Sequence, residues 1–280
     1  MILVVGSGGF LGRRVVRALS DAGQDVITAS HGDGADLRVD LSQPMDAFKV
    51  PGGVRQAVIL SSITALDDCF RDPVRTGAFN VTHTCELITA LQSQGVRPVF
   101  VSSDVVFDGA RGNYQETDPA LPTTEYGRQK RAVEQDLEKV GDHLVVRLGK
   151  LYTLGDDDNS PVSGLVQSLK SGKTVRAATD QYLTPTVAED VADGLAQLIA
   201  MKALGPYHLV PVNGAVTRYE MAKMVALAVG APPSLIQACS IADFDFAEPR
   251  SRNCTLNGDK FHAFTGRRLR PFDDVVRQLS

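Results

Sequence analysis

The sequence predicts an α/β protein built on a doubly wound parallel sheet, with a smaller lobe contributed by its later segments. Three observations carry that expectation. In the first half, short runs that are apolar throughout alternate with longer segments of helical period, the pattern of strands buried on both faces by crossover helices. A glycine-rich loop separates the first such run from the first helix. After Arg147 the texture shifts to polar loops and Pro/Gly joints.

The predicted strands are Ile2 to Val5, Asp25 to Ala29, Ala57 to Leu60, Pro98 to Ser102 and His143 to Leu148. Between them Phe10, Leu11, Val15, Val16 and Leu19 recur at helical spacing, as do Phe79, Cys85, Leu87, Ile88 and Leu91. A helix is expected over Val162 to Lys170, and joints fall at Gly205-Pro206, Gly230 to Pro233 and Glu248-Pro249. The division expected is 1–150 for a dinucleotide-binding domain, with a segment near 183–203 returning to it, and 151–280 mainly for a substrate lobe. That lobe should lie over the carboxyl ends of the strands, where open α/β sheets bind ligands.

With 280 residues, 43% of them hydrophobic and 22% charged, the chain can bury a core without metals or cross-links. A net charge of −4 argues against a duplex-binding protein, which needs a dense basic face. Cys69, Cys85, Cys239 and Cys254 show no CxxC spacing, and the five histidines show no ligand spacing, so no metal is expected. The acidic turn Asp156-Asp157-Asp158-Asn159 needs no cation to explain it. No apolar run approaches the ~20 residues of a membrane helix. Met1 leads directly into the first strand without a cationic leader, so a cytoplasmic location is expected.

Gly6-Ser7-Gly8-Gly9-Phe10-Leu11-Gly12 sits between a strand and an amphipathic helix, the setting a dinucleotide loop requires. Gly6 would permit the turn, Gly9 the approach of a pyrophosphate, and Gly12 close helix–strand packing. The second strand ends at Ser30-His31 with no carboxylate at its tip, while Asp33 stands near by. Arg13, Arg14 and His31 could meet a 2′-phosphate, which favours NADP and leaves NAD open.

Tyr126 and Lys130, four residues apart at the start of a predicted helix, share one face. An adjacent ammonium favours phenolate and would bring a phenol, of pKa about 10, into working range for proton transfer to a carbonyl. Ser102-Ser103-Asp104 follows a strand's carboxyl end, where Ser103 could hydrogen-bond that carbonyl or simply cap the strand.

Taken together, Gly6 to Gly12, Asp40-Leu41, Asn80-Val81-Thr82, Ser102 to Gly109, Tyr126 to Lys130 and Arg147 resemble the extended short-chain dehydrogenase/reductase superfamily, whose domain is Rossmann-type. Tyr114 to Asp118, Asp180 to Thr186, Gly205 to Leu209, Tyr219 to Ala222 and Pro249 to Leu256 extend the likeness to its dTDP-4-dehydrorhamnose reductase group. The resemblance implies that Ser103 holds the position of a catalytic threonine or serine, and that Tyr126 donates the proton. Lys130 would bind the nicotinamide ribose, Asn80 would support the site, and Asp40 and Leu41 would flank the adenine. Ser61 and Ser62 occupy a run that is asparagine-alanine in the group and would line the cofactor. Val105, Lys150 and Leu183 also depart from the group, where tyrosine, tryptophan and glycine are expected.

The implied reaction is hydride transfer from NAD(P)H to the ketone of a nucleotide-linked 4-keto-6-deoxy sugar. Ser102, Asp104, Arg250 and Arg252 are the candidate substrate contacts, and Arg267, Arg268 and Arg270 are further candidates for its diphosphate. A homodimer is a family-level expectation. Two alternatives stay open: a regulatory dinucleotide-binding subunit, since the chain is also similar to the methionine adenosyltransferase β-subunit, and an epimerase or dehydratase of the same superfamily.

Overall fold

The computed structural model describes residues 1–155 and 160–279. The chain opens with β1 (Ile2–Val5), α1 (Phe10–Asp21), β2 (Val26–Ser30), β3 (Leu37–Arg38) and β4 (Gln56–Ile59). Two short helices, α2 (Leu66–Arg71) and α3 (Pro73–Gly77), run through a π-helical stretch, Ala78–Thr82, into α4 (His83–Ser93). Then come β5 (Arg97–Ser103), a 3-10 turn at Asp104–Val106, α5 (Glu125–Glu138) and β6 (Leu144–Leu148). Beyond these lie β7 (Lys150–Tyr152), α6 (Pro161–Lys170), β8 (Val175–Ala178), β9 (Tyr182–Leu183), β10 (Pro185–Val187), α7 (Ala188–Ala200) and β11 (Gly205–Leu209). β12 (Val216–Thr217), α8 (Arg218–Ala228), β13 (Ile236–Cys239), α9 (Asp259–Thr265) and α10 (Phe272–Val276) complete the chain.

As the sequence predicts, the central sheet is parallel and doubly wound, in the order β3-β2-β1-β4-β5-β6-β11. Alternation along β1 divides its side chains between two cores. Ile2 and Val4 pack with Leu11, Val15 and Leu19 of α1 and Val191, Leu195 and Leu198 of α7. Leu3 and Val5 join Leu87, Ile88 and Leu91 of α4 and Val133 and Leu137 of α5. A third core, of Val162, Val166 and Leu169 with Met221, Val225, Phe272 and Val275, belongs to the lobe.

One expectation is corrected at Gly205-Pro206. These residues begin the seventh strand, paired with β6 from Gly205↔Leu144 to Leu209↔Leu148, rather than a joint of the lobe. The positive φ of Gly205 serves the turn out of the α7 region into that edge strand. The lobe is fastened back by residues 248–257. The Asn253 amide donates to the Gly109 carbonyl at 2.9 Å, Tyr114 to Thr255 at 2.9 Å, and Tyr182 to Arg252 at 2.7 Å. The site thus lies between the carboxyl ends of β1, β4 and β5 and the lobe. None of the helices among the described residues is long and apolar enough to cross a membrane.

Candidate active site

Three of the loop glycines have distinct duties. Gly6 adopts φ +88°, and a Cβ there would sit 2.7 Å from the Ser61 hydroxyl and 2.8 Å from its amide. A Cβ on Gly12 would lie 2.1 Å from the Gly6 carbonyl oxygen, so helix and strand meet backbone to backbone. Around Gly8 the space is open. The N-terminus of α1 has neither a side-chain cap nor an acid in its first turn. Its amides therefore point unsatisfied toward the loop, an arrangement that suits a diphosphate.

Beside the loop lies a cavity of about 320 Å³ lined by Ser7, Gly8, Arg13, Thr28, Ser30 and Asp33 among others. The three basic candidates for a 2′-phosphate separate here. Arg13, bonded to the Gly8 carbonyl at 3.2 Å, lines the cavity. Arg14 is turned to Glu189 at 2.7 Å and to the Phe10 carbonyl at 2.7 Å, with its guanidinium over the Phe10 ring. His31 is exposed and lies outside the lining. The Ser30 hydroxyl donates to the Gly32 carbonyl at 3.1 Å. Leu11 and Leu41 are buried in the two cores, and the Leu41 carbonyl lies 2.8 Å from His83 Nδ1. The Asp40 carboxylate accepts from the Ser42 amide at 3.0 Å.

Thr124 caps α5 by accepting from the Gly127 amide at 3.2 Å, which starts the helix just before Tyr126. A Cβ on Gly127 would come within 2.2 Å of the Val105 carbonyl oxygen. Glycine there lets α5 press against the turn that follows Ser103. Tyr126 and Lys130 do share a face, but their titration differs from the sequence expectation. Burial raises the Tyr126 phenol above its ordinary value, opposed by a hydrogen bond with Ser62. Burial also lowers the Lys130 ammonium to about 7, opposed by Glu134. Lys130 Nζ donates to the Val101 carbonyl at 3.0 Å and lies 5.7 Å from the Tyr126 ring centre. Desolvation outweighs charge pairing here, and the phenol keeps its proton at neutral pH.

Asn80 lies in the π-helical stretch, 3% exposed. Its Oδ1 accepts from the Ser62 hydroxyl at 3.0 Å and the Ile63 amide at 2.8 Å. Its Nδ2 donates to the Ile63 carbonyl at 2.9 Å and to Gln129 Oε1 at 2.7 Å. The residue after Ser62 is thus gripped on both sides of its backbone, and α5 is tied to the loop following β4.

Ser103 donates to the Asp104 carboxylate at 2.8 Å and caps the 3-10 turn. Desolvation pushes Asp104 up to about 6, opposed by the Ser103 hydroxyl and the Lys150 ammonium. Lys150 is exposed as a residue, yet desolvation and the cations Arg218 and Arg250 depress its ammonium, while Asp104 pulls it back up. Lys150 is thus the cation that acts on Asp104, while Arg218 and Arg250 crowd Lys150 in turn. Ser102 does not join them. At 3% exposure it is sealed in the sheet, because strand alternation turns it away from the face of Ser103.

Arg250 donates to Asp67 at 2.8 Å and lies 4.4 Å from the Phe246 ring centre. Phe246 stacks on Phe244 at 5.7 Å, and Arg176 covers Phe244 at 5.2 Å. Arg176, Phe244, Phe246 and Arg218 border a second cavity, also about 320 Å³, between α6, β8 and α8. Arg252 is exposed, with Asp180 3.9 Å away. Arg267 and Arg270 are engaged by Asp193 and Asp190 of α7 at 2.7 Å each, away from the cleft. Among the described residues no group of three His, Cys, Asp or Glu side chains could hold a metal. The acidic turn at 156–159 lies outside the described residues.

Sequence reasoning missed Gln129, Arg218 and the Phe244-Phe246 pair. Arg218 had a signal, since Thr217 and Glu220 form a capping box that marks the start of α8. Gln129 had none, because a polar residue beside Lys130 reads as helix surface until the π-helical stretch is placed against it.

A doubly wound parallel sheet with an uncapped, glycine-cornered helix N-terminus and a buried Tyr-Lys pair beside it defines a Rossmann-type protein of short-chain dehydrogenase/reductase build. The chain belongs to the family described as the RmlD substrate binding domain, which matches residues 1–280. It is 29% identical to the probable low-salt glycan biosynthesis reductase Agl14 of Haloferax volcanii, over 91% of this chain and 88% of that protein. To the dTDP-4-dehydrorhamnose reductase of Salmonella typhimurium it is 28% identical, over 99% of this chain and 93% of the relative. The crystal structure of dTDP-4-dehydrorhamnose reductase from Bacillus anthracis, solved in complex with NADP, superimposes with a TM-score of 0.85 at 19% identity, covering 99% of this chain and 97% of that one.

Proposed function

We propose that the protein is an NADPH-dependent reductase of the ketone in a nucleotide-linked 4-keto-6-deoxy sugar. The observation that carries this reading is the gathering of Ser103, Tyr126, Lys130 and Asn80 at the carboxyl ends of β4 and β5, next to the glycine cradle. Named relatives that reduce dTDP-linked keto sugars support the substrate class. Arg13 in the cavity beside the cradle, together with the NADP complex of the Bacillus anthracis protein, supports the phosphorylated cofactor.

Bound in the cradle, the dinucleotide would supply the hydride. Tyr126 holds its proton at neutral pH, the form an acid needs when a carbonyl oxygen gains charge. Lys130, near its midpoint at neutral pH, is the cation placed to favour phenolate as that proton leaves. Ser103 would hydrogen-bond the same oxygen, exchanging its bond to Asp104 for one to the substrate. Lys150, Arg218 and Arg250 offer charge to a diphosphate.

The test is NADPH and NADH oxidation by the purified protein against dTDP-4-keto-6-deoxy sugars, run beside Tyr126→Phe. Turnover with NADPH, lost in Tyr126→Phe while NADPH affinity is unchanged, is the expected result. Tight NADPH binding without turnover of any such sugar would overturn the proposal in favour of a regulatory dinucleotide-binding role.

A further inference from the structure

The segment that fastens the lobe also reaches the helix that carries Tyr126 and Lys130. Glu248 reads in the sequence as half of a joint, yet it is only 4% exposed and its carboxylate meets α5. Its Oε1 accepts the Glu125 amide at 2.7 Å, the first amide of α5 and the one immediately before Tyr126. Thr124 takes the Gly127 amide, so the carboxylate satisfies a donor that the cap does not, with its charge at the positive end of the helix. Arg128 Nη2 lies 3.7 Å from the same oxygen, while Arg128 donates to Glu125 Oε2 at 3.0 Å and to the Thr123 carbonyl at 3.1 Å. Glu248 Oε2, by contrast, is buried with no hydrogen-bond partner among the described residues. A half-satisfied carboxylate is costly to bury, and its contacts with α5 offset that cost. Two residues on, Arg250 donates to the Glu248 carbonyl at 3.3 Å and to Asp67 of α2 at 2.8 Å. Ser251 then meets Thr123, hydroxyl to hydroxyl, at 3.2 Å. One short segment thus carries Arg250 and holds the first turn of the helix that bears the phenol.

We propose that Glu248 is a positioning residue for Tyr126: by accepting the Glu125 amide it holds the first turn of α5 in place against the segment that carries Arg250. This rests on the reductase reading for its chemistry. Tyr126 follows Glu125 directly, so a fixed Glu125 amide fixes the backbone from which the phenol extends. The hydrogen bond rather than the charge is the working contact, because Oε1 lies within hydrogen-bond range of the amide and beyond it from Arg128. Without that bond α5 keeps its seam with the turn at Asp104–Val106, where Gly127 meets the Val105 carbonyl, but loses its tie to the lobe. A substrate gripped by Arg250 then no longer meets the phenol at a set distance, and proton transfer is steeply sensitive to such placement.

Three variants separate reach from charge. Glu248→Gln keeps the acceptor oxygen and loses the charge, Glu248→Asp keeps the charge but is one methylene too short, and Glu248→Ala keeps neither. Amide hydrogen exchange followed by NMR reads the Glu125 N–H with no substrate or cofactor present. Exchange should quicken roughly tenfold in Glu248→Ala and Glu248→Asp and stay with wild type in Glu248→Gln, as expected for one hydrogen bond to a charged group. In NADPH oxidation with a dTDP-4-keto-6-deoxy sugar, the alanine and aspartate variants should lose about tenfold in kcat with the KM for NADPH unchanged, and Glu248→Gln should keep wild-type turnover. Wild-type exchange or wild-type kcat in Glu248→Asp, or a Glu248→Gln variant that falls with it, overturns the role. The aspartate and glutamine variants decide the matter even where Glu248→Ala does not fold. If Glu125 exchange behaves as expected and wild type reduces no such sugar, the reductase reading falls, and the Glu248–Glu125 bond stands as a fastening of the lobe alone.

Discussion

Gly127→Ala is the most informative single substitution in the site. Its added methyl would meet the Val105 carbonyl oxygen at 2.2 Å, the Pro122 Cβ at 2.9 Å and the Thr124 hydroxyl at 3.0 Å. Ordinary contact begins at 3.4 Å, so α5 and the turn at Asp104–Val106 must part by about 1 Å, and a backbone carbonyl cannot swing aside as a side-chain tip can. Alanine gains about 1 kcal/mol in helix propensity, but overpacking of this kind costs about 1–3 kcal/mol. The net expectation is a modest fall in stability, worth a few degrees of Tm at about 2–4 °C per kcal/mol. The functional loss should be larger. Tyr126 lies on one side of the seam and Ser103 on the other, and a displacement near 1 Å between reacting groups costs on the order of 10²-fold in rate. Calorimetry and NADPH-oxidation kinetics on the same preparation separate the two effects. A variant with raised Tm and wild-type kcat would refute the argument, since it would mean the seam opens without consequence.

Lys130→Met should be more stable than wild type at low pH. The folded-state value, about 7, lies below the unfolded one, so the cost of a buried ammonium is fully present below pH 7 and fades as pH rises towards the ordinary lysine range. Urea denaturation at pH 6 and pH 9 should show the advantage of methionine shrinking with pH, and a constant difference would contradict the burial argument. Glu134→Gln breaks the pair with Arg147, whose Nε and Nη2 lie 3.0 and 2.8 Å from the carboxylate oxygens, both residues being buried. A buried guanidinium without its anion should cost about 3–5 kcal/mol in the same denaturation assay, and a loss under 1 kcal/mol would mean that Arg147 finds another partner. Arg13→Ala should weaken NADPH binding by roughly tenfold while leaving NADH unchanged, since one charge-assisted contact is worth about 1.4 kcal/mol. Fluorescence titration with both cofactors checks this, and an equal loss for both would remove Arg13 from cofactor choice.

Much of the frame was legible because it rests on local rules. Apolar runs bounded by glycine mark strands, and the loop from Gly6 to Gly12 declares its helix N-terminus by residue type alone. The spacing of Tyr126 and Lys130 put them on one helical face. The titration expected of that pair was not legible correctly, because burial depends on what covers a helix, and the cover of α5 comes from distant segments. The same applies to Arg14, whose partner Glu189 is supplied by α7, and to Ser102, whose depth in the sheet depends on the strands beside it. Gly205-Pro206 read as a joint since a five-residue edge strand opening on Gly-Pro looks like a turn until β6 pairs with it.

By itself, then, the sequence determined the alternation of strands and helices, the phosphate cradle and the presence of a phenol, an ammonium and a hydroxyl suited to carbonyl chemistry. These follow from periodicity and from conformations that only certain residues adopt. Tertiary structure alone decided which groups meet: Ser62, Asn80 and Gln129 in one chain of hydrogen bonds, Lys150 beside Asp104 with Arg218 and Arg250 crowding it, and Phe244 and Phe246 between two arginines. Hydrogen-bond polarity, desolvation and charge proximity act over a few ångströms in space, and segments far apart in the chain are brought within that range only when the sheet and the lobe close on each other.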